Sequence, residues 1–147
     1  NSTLKDFRCQ ILASDFSNKI LKKAQEGVYS QFEVQRGLPI QYLMKHFTQD
    51  SQKWILKDNL KRMITFKNHN LMSNPSQYGK FDVIFCRNVL FYFDLPTKKK
   101  VLDFLHDALN PGGMLFLGGA ETVVGVSDKF THAPNQRGIY TRIEDQP

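Results

Sequence analysis

Phe81-Asp-Val-Ile-Phe-Cys-Arg-Asn-Val-Leu-Phe-Tyr-Phe93 and, beyond one helical stretch, Leu109-Asn-Pro-Gly-Gly-Met-Leu-Phe-Leu117 together decide the fold. Phe81, Val83, Ile84, Phe85 and Cys86 are dense in β-branched and aromatic side chains over the length of one strand. Asp94 and Pro96 open a helix whose inner stripe is Val101, Leu102, Leu105, Ala108 and Leu109. Asn110-Pro-Gly-Gly ends that helix, and Met114 to Leu117 make the next strand.

Working outward, Cys9 to Ser14 is a short apolar run that stops at Asp15 and reads as a buried strand. Ser17 can cap a helix with Ile20, Leu21 and Ala24 on one face and Gly27 as its stop. At the other end, Gly138 to Ile143 reads as a last strand after a polar stretch suited to a hairpin connection. Strand–helix–strand–helix–strand is an α/β pattern with a largely parallel sheet. Residues 28–69 break it. Pro39 starts a short helix carrying Ile40, Leu43, Met44 and Phe47, and then Trp54 to Lys57 and Met63 to Lys67 alternate like two antiparallel strands around a polar turn. We read 28–69 as a subdomain inserted in one domain spanning 1–147, longer than an ordinary βα connection. Such insertions more often carry binding than scaffold duty.

The composition is that of a folded chain: of 147 residues 41% are hydrophobic, 12% aromatic and 23% charged, which excludes a disordered or collagen-like class. No apolar run approaches the ~20 residues of a membrane-spanning helix, so no membrane insertion is expected. Cys9 and Cys86 are too few for a disulfide framework; both lie in apolar runs and are expected reduced and buried, in a cytoplasmic protein. The formal charge of +6 favours an acidic partner. His46, His69, His106 and His132 have no metal-ligand spacing, and no metal site is expected.

In doubly wound folds, ligands sit outside the carboxyl ends of the parallel strands. Asp15 occupies such an end. Its carboxylate can accept hydrogen bonds from both hydroxyls of a ribose, and it can equally cap the helix that follows. A glycine-rich turn belongs ~20 positions before such an acidic residue, yet the first glycine of the chain is Gly27. Either the fold is another one, or the sequence is a fragment.

Five blocks share one pattern: Ile11-Leu-Ala-Ser-Asp-Phe-Ser17, Ala24-Gln-Glu-Gly-Val-Tyr29, Asn70-Leu71, the Phe81–Phe93 stretch, and Leu109 through Gly118-Gly-Ala-Glu121. Over roughly Ile11 to Tyr140 the chain resembles the CheR-type chemotaxis-receptor methyltransferases, which use S-adenosylmethionine to methylate receptor glutamates. The Cys86-Arg87-Asn88 block followed by Tyr92-Phe93 is the specific part. The resemblance implies a Rossmann-like S-adenosylmethionine-dependent methyltransferase fold with a small inserted antiparallel β-subdomain, truncated on its N-terminal side. The family's first strand, its glycine- and glutamate-containing turn and its helical domain have no counterpart here, so the fragment alone is expected to bind cofactor weakly. By the same resemblance Asp15 holds the ribose, Asn70 and Leu71 lie against adenine, Arg87 and Asn88 line the cofactor side, and Tyr92 stands near the reactive methyl. The product is S-adenosylhomocysteine. Glu121 lies in a family-like block but receives no catalytic role.

Methyl transfer to a carboxylate is an in-line displacement that needs no general base near neutral pH. Alignment and exclusion of water can supply much of the acceleration. The expected substrates are glutamates on the cytoplasmic methylation helices of chemoreceptors. Phe47-Thr-Gln-Asp-Ser-Gln-Lys-Trp54 is short and lacks glycine, unlike the members that dock on a receptor's C-terminal pentapeptide, so no such tether is expected. Two other readings stay open. A nucleic-acid methyltransferase fits the charge, but no interleaved basic and aromatic stripe is seen beyond Lys98, Lys99 and Lys100, the densest cluster, which reads as a solvated helix face, so no nucleic-acid partner is expected. A non-catalytic receptor- or regulator-binding module derived from the same family is the other.

Overall fold

The computed structural model describes residues 9–143. The chain divides into two compact units between Asn70 and Leu71.

The first unit opens with β1 (Ile11–Asp15) and α1 (Asn18–Glu26). Ser17 caps α1 by accepting a hydrogen bond from the Ile20 N–H at 3.4 Å. Gly27 ends it at φ 66°, its N–H donating to the Lys23 carbonyl at 3.1 Å. Both boundaries stand where Ser17 and Gly27 put them, because a side-chain acceptor and a left-handed residue are what helix ends require. Then come β2 (Val28–Ser30), α2 (Gln31–Gln35), α3 (Ile40–His46), β3 (Phe47–Asp50), β4 (Lys53–Leu56), α4 (Asp58–Lys61) and β5 (Ile64–Asn68). A capping box at Ser30 and Glu33 opens α2, and Lys23 also pairs with Glu33. With the Lys23 ammonium first and the Ser30 donors next, the Glu33 carboxyl is held down at about 2.

Two sheets form here. β2, β4 and β3 make an antiparallel sheet in that order, over a small core of Val34, Leu43 and Trp54. The Trp54 ring N–H donates to Gln31 Oε1 at 2.6 Å, which satisfies its one buried donor. β1 pairs with β5 in parallel, from Ile11 against Ile64 to Asp15 against Asn68. The expected hairpin of residues 54–57 with 63–67 is thereby corrected. The two runs belong to different sheets, with α4 standing between them. Alternation marks a half-buried strand but names neither its partner nor its direction.

Two expectations about the first strand also change. Cys9 is exposed, since the ladder begins only at Ile11. β1 itself is half-buried to exposed rather than buried, because β5 is the one strand paired with it among the described residues.

The second unit contains a 3₁₀ turn at Pro75–Tyr78, β6 (Phe81–Cys86), a 3₁₀ turn at Leu90–Tyr92, α5 (Leu95–Ala108), β7 (Leu109–Leu117), β8 (Phe130–His132) and β9 (Ile139–Arg142). Asp94 caps α5 by accepting from the Thr97 N–H at 3.0 Å. The strands lie in the order β6-β7-β9-β8. β6 and β7 run parallel across the α5 crossover, and β9 is antiparallel to both β7 and β8. The polar stretch before β9 thus holds a hairpin, as expected, with the additional strand β8.

Leu109 opens β7 instead of closing α5. It pairs with Phe81, and the next pair is Val83 with Met114, so Asn110–Gly113 is taken up as a bulge in the ladder. Asn110 donates to Asp82 across this irregularity at 2.8 Å, and Gly112 sits at φ 72°. The helix stripe does form the core: Val101, Leu102 and Leu105 pack with Leu109, Leu115, Leu117 and Tyr140. Burial of each such side chain contributes about 1.5–3 kcal/mol. On the other face of β6, Val83 and Phe85 are exposed, and Phe85 stacks on Phe116 of β7 at 4.7 Å. Among the described residues no helix is long and apolar enough to cross a membrane.

Candidate functional site

Each unit carries part of the anticipated site at the carboxyl ends of a parallel strand pair. In the first unit, Asp15 ends β1 beside Asn68, which ends β5, and the Asp15 carbonyl accepts from the His69 N–H at 3.1 Å. Asn70 follows directly, so Asp15 and Asn70 belong to one strand-end cluster. The Asp15 carboxylate is exposed; Oδ1 accepts from the Ser17 N–H at 2.7 Å. Asp15 thus supports the turn into α1 while Ser17 does the capping. Oδ2 takes no hydrogen bond from a described residue. An exposed carboxylate with an acceptor to spare fits a group that presents hydroxyl donors.

In the second unit, Arg87 and Asn88 follow β6 directly and are exposed. Asn88 has the left-handed backbone, φ 59°, which asparagine tolerates better than most residues. Tyr92 closes the 3₁₀ turn, 76% exposed, its ring 4.2 Å from that of Phe91. Phe93 packs on the core, so the aromatic triplet splits into one anchor and two exposed rings. Leu71 is half-buried against the same core. Lys99 and Lys100 are exposed on α5, where Lys100 lies over the Phe104 ring at 5.4 Å, as a solvated helix face would have it.

The residue that organises this end is Glu121. Its carboxylate is 8% exposed and accepts four backbone N–H bonds. Oε2 takes those of Gly118 at 2.7 Å and Asn88 at 2.8 Å; Oε1 takes those of Val89 at 2.8 Å and Leu90 at 2.7 Å. Burial alone would push the acid up, but these four donors outweigh it and hold the carboxyl below its ordinary value. The same charge, second to burial, pushes the Cys86 thiol up to about 12, so Cys86 is an unreactive core residue. Gly118 is part of the device. A Cβ there would lie 2.7 Å from Glu121 Oε2 and 2.9 Å from the Asn88 nitrogen, and would strike the Asn88 side chain. The sequence held a signal for this in Gly118-Gly-Ala-Glu121, a paired glycine and an acid just past a strand. What it did not hold was the acid's other three partners, Asn88, Val89 and Leu90, which lie more than thirty residues earlier.

Beside Arg87 the second unit has an open hollow of about 770 Å³, whose walls include Gly119, Thr122 and the β8–β9 turn with Arg137. That volume is within the range of small-ligand sites. None of the turn residues was anticipated.

Residues 1–139 match the family model described as CheR methyltransferase, SAM binding domain. The chain is 39% identical over 135 residues to a chemotaxis protein methyltransferase of Vibrio parahaemolyticus, covering 91% of this chain and 49% of that protein. With one from Vibrio anguillarum it shares 40% over 136 residues, again 91% and 49%. The chain therefore spans about half the length of the curated relatives it matches. Among solved structures, magnesium protoporphyrin IX methyltransferase from Synechocystis PCC 6803, with SAM bound, is similar at a TM-score of 0.51 and 18% identity. That likeness covers 90% of this chain and 56% of that one, and at such identity it concerns the fold alone.

Proposed function

Since the chain belongs to the CheR methyltransferase family by its SAM-binding domain, we propose that it serves the S-adenosylmethionine-dependent methylation of glutamate side chains on the cytoplasmic helices of chemoreceptors. The observation that supports this reading most is the form of the two strand ends. Each closes a parallel pair, and each carries exposed polar side chains at that end: Asp15 as the last ladder residue of β1, and Arg87 and Asn88 just past β6. In doubly wound folds that is where ligands bind.

In this reading Asp15 accepts hydrogen bonds from the ribose, and Asn70 and Leu71 hold the adenine edge and face. Arg87 and Asn88 bound the methionine side, with the Asn88 backbone fixed by Glu121. Tyr92, exposed and on a short turn, stands towards the acceptor. The bound cofactor supplies a methyl group on a positively charged sulfur. The chain's own task is to orient and to exclude water, because a glutamate carboxylate is already ionised near neutral pH. Residues 28–69 serve as an inserted subdomain for docking, and the protein works in the cytoplasm without a pentapeptide tether.

Calorimetric titration of S-adenosylhomocysteine into the complete polypeptide of its reading frame tests the cofactor part. Asp15→Asn, which leaves one acceptor oxygen where two stood, is expected to weaken binding about tenfold, or ~1.4 kcal/mol. A base-labile radioactive methyl ester on a receptor cytoplasmic fragment tests the acceptor part. Methyl label entering RNA but not the receptor fragment would favour the nucleic-acid alternative.

A further inference from the structure

We propose that the hollow beside Arg87 is a carboxylate-recognition site for acidic residues flanking the acceptor glutamate, with Arg137 as its principal cation. The inference rests on the glutamate-methylation reading above and deepens it by assigning a specificity residue.

Arg137 stands on a turn that is built, not merely exposed. Pro134 and Asn135 occupy the two central positions of a β-turn, with Asn135 at φ 58° and the Gln136 N–H donating to the Ala133 carbonyl at 3.1 Å. Proline followed by a residue of positive φ is the type II pattern. On the far side of Arg137, the Gly138 carbonyl accepts from the Leu117 N–H at 2.9 Å. The arginine backbone is therefore clamped between two hydrogen bonds, one of them to the last residue of β7. Just past β7 is Gly118, whose N–H shares Glu121 with Asn88. The Leu117–Gly138 backbone bond and the Glu121 carboxylate thus link the turn bearing Arg137 to the loop bearing Arg87.

The charge of the hollow is unbalanced. Arg87 and Arg137 both line it, both are exposed, and neither makes a hydrogen bond or ion pair with another described residue. Glu121 is the one carboxylate on the wall, and its lone pairs are spent on four backbone N–H groups. Thr122 and Asn135 add hydrogen-bonding side chains. A guanidinium presents a planar fork that matches a carboxylate, which favours acidic side chains over a diffuse polyanion. No step assigned to the cofactor uses Arg137, which leaves its charge to an acceptor helix rich in glutamate.

The test measures binding of two labelled helical peptides to the complete polypeptide by fluorescence anisotropy. One carries a glutamate flanked by acidic residues, and the other has the flanking residues replaced by their amides. The wild type is expected to prefer the acidic peptide about tenfold, and Arg137→Gln to lose that preference. Lys99→Gln removes the same charge from the exposed face of α5 and is expected to change it less than twofold. S-adenosylhomocysteine titration is run on each variant, so a protein that binds no cofactor fails the general reading separately. Equal losses in Arg137→Gln and Lys99→Gln would reduce the effect to net charge and overturn the proposal. So would a preference that survives in Arg137→Gln, or a wild type that binds inorganic phosphate but neither peptide.

Discussion

A carboxylate that accepts four backbone N–H bonds has nothing left to offer a ligand, so Glu121 acts on the site through the chain it holds. Glu121→Gln keeps the shape but replaces one acceptor oxygen with an NH₂ facing two N–H donors. Buried donors left unmatched around a lost charge should cost about 2–4 kcal/mol, read as a lower melting temperature. The pH dependence carries a definite sign. The folded-state acid lies below its ordinary value of 4.5, so its contribution is complete above that value and is lost as pH falls through the lower folded one. The wild type should therefore lose melting temperature more steeply than Glu121→Gln as pH falls below 4.5. Parallel slopes would show that Glu121 does not carry the acid sensitivity. Gly118→Ala attacks the same cluster from the other side and should displace the Asn88 backbone even though its own φ needs no glycine.

At the scale of elements, the β3–β4 hairpin closes in two residues, since Asp50 already pairs with Lys53. Ser51 sits at φ 55° in that turn, a conformation costly for serine and easier for asparagine. Ser51→Asn should raise stability by roughly 0.5 kcal/mol in urea unfolding. With so short a turn, no docking of a tethering peptide on this hairpin is expected. A receptor C-terminal pentapeptide should leave the amide resonances of residues 47–56 unshifted, and a saturable shift would overturn that expectation. What was legible at this scale follows from the range of the forces. Ser17, Gly27 and Asp94 set their helix ends through bonds three or four residues away, and those ends were readable. The partners of residues 54–57 and 63–67 were not, because a strand's own pattern says which face is apolar and nothing of what lies beside it. The same limit hid Glu121: its type and position were plain, while three of its four donors were a matter of tertiary folding.

For the whole molecule, the strand–helix–strand reading of Phe81 to Leu117 survives because crossover length and an apolar stripe leave few other ways to bury Val101, Leu102 and Leu105. The same sheet has a weak side. β6 ends the order β6-β7-β9-β8, and Val83 and Phe85 stand on it 43% and 69% exposed. A strand edge with unpaired backbone groups and apolar side chains is a template for association. Phe85→Thr keeps strand propensity and removes the exposed ring. It gives up the Phe116 contact, worth about 0.5–1.5 kcal/mol, so melting should shift only slightly while light scattering by the 147-residue chain falls at a given concentration. Phe91→Thr removes a comparably exposed ring, 48%, from a 3₁₀ turn instead of a strand edge. If scattering falls as much in Phe91→Thr as in Phe85→Thr, association follows total apolar exposure and the β6 edge has no special part in it.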